Sequence, residues 1–158
     1  MMAEGDIGVP GALAEALALL RRRIPAERLD RVWIFPPVVD GRSESGVVAA
    51  GCFGEGGRRD LVTVSYRARE TGRGVSFTPV FAEQGTAPAE SLPRVIAGVA
   101  RRAGAGFGDP ALTHLGGDPG AFDRLVGEWT PDDLPHRVGR GVFGRPVAPE
   151  PAKAGARG

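Results

Sequence analysis

The stretch Asp60-Leu61-Val62-Thr63-Val64-Ser65-Tyr66-Arg67-Ala68-Arg69 decides how the rest of the chain is read. Val62, Val64, Tyr66 and Ala68 fall on one parity, and Leu61, Thr63, Ser65 and Arg67 on the other. Strict alternation is the signature of a strand whose successive side chains point to opposite faces, here one face buried and the other toward water. Just upstream, Gly54-Glu55-Gly56-Gly57 supplies the positive-φ positions of a tight reversal. Before it, Gly46 to Phe53 is a run of small and β-branched residues, a second strand. Further back, Arg31 to Phe35 (Arg-Val-Trp-Ile-Phe) is a third, stopped by Pro36 and Pro37, with Ser43-Glu44-Ser45 read as the polar link between these two. Downstream, Glu70 to Gly74 turns the chain into a fourth strand near Val75 to Ala82. Pro79 lies within it and cannot donate to a ladder, so this strand is expected at an edge or at a bulge.

Helical spacing flanks the strands. Leu13, Leu17, Leu20 and Ile24 recur every three or four residues between Gly11 and Pro25, one apolar stripe on an N-terminal helix. Pro88 to Ala103 repeats the pattern with Leu92, Val95, Ile96 and Val99, and Gly104 is placed to end it. Asp118 to Trp129 reads as a third helix with Asp118 as N-cap and Pro119 at its first position. The segment Gly104 to Pro110 reads as loop. The sequence thus predicts an α+β fold: an N-terminal helix, a four-stranded antiparallel meander sheet and two C-terminal helices, all helices on one sheet face. Residues 1–145 form a single domain in this reading, and the Pro/Gly/Ala-rich residues 146–158 a flexible, disordered tail.

Composition narrows the function classes. The chain has 158 residues, 42% hydrophobic, enough to bury a core without staples. Cys52 is the single cysteine, which excludes an internal disulfide and suits a reducing compartment. Twenty basic and nineteen acidic residues leave a net charge of +1, no strong field for a polyanion. The apolar run Ala12–Leu20 is preceded by acids and followed by Arg21, Arg22 and Arg23, the reverse of a secretory signal, and no run is long enough to span a membrane. A soluble, cytoplasmic protein is expected.

No motif fixes a chemistry. The glycine-rich stretches lack both the spacing and the strand-to-helix context of a phosphate loop, and Gly41-Arg42-Ser43-Glu44-Ser45 lacks the second glycine of a nucleophile elbow. No cofactor and no metal are expected, and no catalytic residue is assigned. One polar cluster stands out: His114 and Asp118 before the third helix, Asp132, Asp133 and His136 after it. Imidazoles and carboxylates could serve a divalent metal or an acid/base pair if they converge, although each Asp also suits a turn or cap. Tyr66, Arg67 and Arg69 interleave an aromatic with cations, the pattern of a weak RNA-binding sheet.

The apolar strand Trp33–Phe35 and the aromatic positions Phe77 and Phe81 carry the leading expectation. Three helices on one side leave the other side of the sheet bare, so Trp33, Phe35, Phe77 and Phe81 form a candidate contact surface. The reading is a non-enzymatic protein-interaction module, an adaptor, accessory subunit or self-associating domain that binds a protein partner or its own copy. The alternatives are a small-molecule or metal-dependent enzyme with His114 and His136 near its site, or the RNA-binding sheet.

Overall fold

The computed structural model describes residue 9 and residues 11–105 and 108–128. Three helices and six strands lie among them: α1 (Ala12–Arg23), β1 (Leu29–Ile34), β2 (Val38–Asp40), β3 (Ser43–Phe53), β4 (Arg58–Thr71), β5 (Gly74–Pro88), α2 (Leu92–Arg102), β6 (Ala111–His114) and α3 (Pro119–Glu128). The class is α+β with an antiparallel sheet, but with six strands where four were expected, and with a strand between the last two helices. The proposed tail falls outside the described residues.

The sheet runs β5-β4-β3-β1-β6, with the short β2 folded back on β3. All pairings are antiparallel. Two strands were missed in the sequence. Gly41-Arg42, with Gly41 at φ 62°, closes a small hairpin, so Ser43, Glu44 and Ser45 are not a link but the start of β3, paired with β2 on one side and β4 on the other. β6 is four residues long, too short for periodicity to register, and exists because β1 offers it a free edge. β5 also runs further than its alternation suggests, reaching Pro88 through a bulge opposite Leu61 and Val62. It is the outermost strand, which is where Pro79 can be tolerated.

Helices cover both faces, which corrects the one-sided arrangement expected from sequence. On the first face, Leu13, Leu17 and Leu20 of α1 and Phe122 and Leu125 of α3 pack against Val32, Ile34, Val48, Ala50, Val62 and Val64. On the second, Leu92, Ile96 and Ala100 of α2 pack against Trp33, Phe35, Val47, Ala49 and Leu61. Parity explains the split, because alternate residues of β1, β3 and β4 are divided between the two cores. β1 lies inside the sheet between β3 and β6, so its apolar residues on both parities are core residues rather than a bare patch.

The long register of β3 on β4 brings Gly46 opposite Tyr66. A Cβ at Gly46 would lie 2.6–2.7 Å from atoms of the Tyr66 ring, so the missing side chain is the space the ring fills. Tyr66 Oη then donates to Glu44 Oε2 at 2.5 Å, and Glu44 Oε1 accepts from the backbone N–H of Val9 at 2.9 Å. Glu44 is 2% exposed. This buried carboxylate thus ties the approach to α1 onto the sheet, with hydrogen bonds offsetting its desolvation.

Candidate functional site

Among the described residues, three surfaces lie outside the two cores. The first is a charged corner where β1, β3 and β4 meet. A bulge at Asp30, between Leu29 and Arg31, breaks the β1–β3 register and turns this carboxylate toward two arginines. Arg31 Nε donates to Asp30 Oδ2 at 2.8 Å and Arg59 Nε to the same oxygen at 2.7 Å. Burial alone raises the Asp30 pKa, but the hydrogen bonds from Arg59 and Arg31 and the charges of both outweigh it, and the net direction is downward. The Asp30 carbonyl also accepts from the N–H groups of Leu115 (2.7 Å) and Gly116 (2.9 Å), so one residue holds the end of β6 as well. Arg59 lies over the Phe53 ring with its guanidinium carbon 4.8 Å from the centroid. Beside this cluster, Arg28 and Asp60 form a 2.9 Å ion pair at the mouth of a cleft of about 530 Å³ that Phe53, Glu55 and Arg58 also line.

Cys52 sits behind this corner, 1% exposed and within the α1-side core. Burial pushes its thiol up to about 11, with Arg28 acting in the opposite sense. At neutral pH it is a protonated, packed side chain, so the corner anchors strands and activates no nucleophile.

Of the histidine cluster, His114 and Asp118 lie among the described residues. His114 ends β6, exposed, opposite Arg31 across the strand pair. Asp118 occupies the expected N-terminal position of α3, its Oδ1 accepting from the Gly120 N–H at 2.9 Å. Asp132, Asp133 and His136 lie outside the described residues. Among the described residues no three His, Cys, Asp or Glu side chains converge to hold a metal ion, and no helix is long and apolar enough to cross a membrane.

The second surface is the free edge and apolar strip of β5. The four aromatic positions expected to share a face do not. Trp33 and Phe35 are 4% and 6% exposed beneath α2, whereas Phe77 and Phe81 are half-buried on the α1 side. Phe77 stacks on Tyr66 with centroids 5.8 Å apart, and the Arg23 guanidinium carbon sits 4.4 Å from the Phe81 centroid. With Val75 (51% exposed) and Pro79, these rings form one stripe along β5. Sequence alone could not divide the four positions between faces, because parity within one strand says nothing about its phase relative to the next.

The third surface is the part of the second face that α2 leaves uncovered. Ser43 and Ser45 of β3, Ser65, Arg67 and Arg69 of β4, and Ser76 and Thr78 of β5 share that face by register. Tyr66 points the other way into the core, 3% exposed, so it does not share a face with Arg67 and Arg69. No family model, no curated protein and no solved structure matches this chain.

Proposed function

We propose that this chain is a non-enzymatic protein-interaction module that self-associates through β5, joining the free edges of two copies in a symmetric antiparallel pair. The observation that carries the reading is the edge strand itself. It is fifteen residues long, outermost in the sheet, and contains one charged residue, Glu83. Open edges invite pairing with another chain, and proteins that keep them free blunt them with charge, proline or short length. In its interior β5 carries Pro79, which removes one donor, and a bulge at Glu83–Gly85, so Gly74 to Thr78 and Val80 to Glu83 are the regular stretches open to pairing. A low-charge strand is self-complementary under a twofold axis because no like charges are brought into opposition. The apolar stripe on its α1 side, Val75, Phe77, Pro79 and Phe81, adds area that pairing would cover.

The test is a mass measurement by sedimentation equilibrium at micromolar protein, with circular dichroism on the same samples. Phe81→Glu is expected to lower the assembled fraction while the fold persists. Val75→Glu repeats the test at a position too exposed to disturb the core. A wild-type protein that is monomeric throughout the range, or variants with unchanged mass, would refute self-association.

A further inference from the structure

We propose that the uncovered half of the α2-bearing sheet face is a docking groove for an extended acidic segment of a partner protein. This surface is separate from the β5 stripe, which lies on the opposite side of the sheet. Two adjoining clefts make up the groove. One, of about 520 Å³, is bounded by Val38 and Asp40 of β2 and floored by Ser45, Arg67, Arg69 and Thr78. The other, of about 230 Å³, continues over Ser65 and Val80 to Ala103 and Gly104 at the end of α2. Ser45, Arg67 and Thr78 line both, so Arg67 stands at the centre of a single trough that runs along the strands. From Ser65 to Arg69 the trough extends roughly 14 Å at ~3.4 Å per residue, the length of four or five extended residues.

Charge selects the occupant. Arg67 and Arg69 are exposed, and neither makes an ion pair or side-chain hydrogen bond among the described residues. On one face of one strand, positions two apart are separated by ~7 Å, which is also the spacing of alternate carboxylates on an extended chain. Each arginine can therefore meet one carboxylate of a segment with acids at every second position. Small hydroxyl side chains on both flanks, Ser43 and Ser45 on one and Ser76 and Thr78 on the other, leave room for a backbone and offer it donors and acceptors. Asp40 at the β2 end repels a continuous polyanion, and the aromatic residue along the groove, Tyr66, is 3% exposed with its side chain in the opposite core, where bases cannot stack on it, so a polypeptide fits better than RNA.

The full-length protein is titrated against a fluorescein-labelled nonapeptide with glutamate at alternate positions, read by fluorescence polarisation at low salt. Its control is the same peptide with glutamine at those positions. Saturable binding is expected, weakened about tenfold by the glutamine peptide and by Arg67→Glu combined with Arg69→Glu. Arg67→Lys with Arg69→Lys keeps most of the affinity. Thr78→Glu, an exposed position on the trough wall, repeats the charge test if the double reversal fails to fold. Absence of saturable binding, or equal binding of the glutamine peptide, or affinity unmoved by charge reversal, overturns the proposal. So does displacement of the acidic peptide by an oligouridylate that the same arginines hold more tightly, which would make the groove a nucleic-acid site.

Discussion

Replacing Asp30 with asparagine removes one negative charge from beneath two guanidinium groups and leaves the backbone in place. The Asp30, Arg59 and Arg31 side chains are 10%, 14% and 18% exposed, so the two cations lose their shared partner with little access to water. Breaking a fully buried pair by removing one member costs ~3–5 kcal/mol. Here the rims of both guanidinium groups still touch solvent and the amide oxygen can accept one of the two hydrogen bonds, so about 2–3 kcal/mol is expected. For a chain of this size that lowers Tm by roughly 4–12 °C. The folded-state pKa of Asp30 is depressed, so its contribution is complete above the unfolded value near 3.8 and is lost as pH falls through the lower folded value. Urea unfolding of wild type and Asp30→Asn at neutral pH should therefore differ by the full amount. The two curves should draw together only as the pH falls through the lowered folded-state value and the wild-type carboxyl takes up its proton. A neutral-pH difference below about 0.5 kcal/mol would place Asp30 among ordinary surface residues and refute the anchoring role. A difference that persists undiminished in acid would show that the loss is not one of charge.

Two further outcomes follow from packing. Cys52, buried and with its thiol raised to about 11, should label slowly with a maleimide at neutral pH in the native protein and within the mixing time in denaturant; rapid native labelling would show that this corner opens. Gly46→Ala should displace the Tyr66 ring, whose atoms lie 2.6–2.7 Å from the new Cβ, and weaken the Tyr66–Glu44 bond, costing about 1–3 kcal/mol in chemical denaturation. An alanine variant as stable as wild type would mean that the ring moves aside freely.

The local elements were written plainly in the chain. Leu13, Leu17 and Leu20 are buried along α1, as their spacing requires, Ile24 is buried just past its end, and the alternation of Asp60–Arg69 is that of β4. Hairpin-length breaks made the sheet antiparallel, and Pro79 placed β5 at an edge. These features are legible because each depends on side-chain direction or turn geometry within a few residues.

Other features depend on what comes to lie beside a strand, and the chain does not record that locally. Thr63 and Arg67 share one parity of β4, yet Thr63 is 2% exposed and accepts a hydrogen bond from Gln84 Nε2 of β5, whereas Arg67 is open. Trp33 looks like a bare aromatic until β6 pairs with β1 and α2 crosses above it. The four residues of β6 become a strand only on an edge supplied by residues eighty positions away. Asp30 has no motif at all, since Arg59 reaches it from β4 after two reversals of the chain. Periodicity therefore determined which side of each element is apolar. Tertiary structure alone decided what covers it, because the free energy of burial depends on the area two surfaces share and not on the order in which their residues are joined.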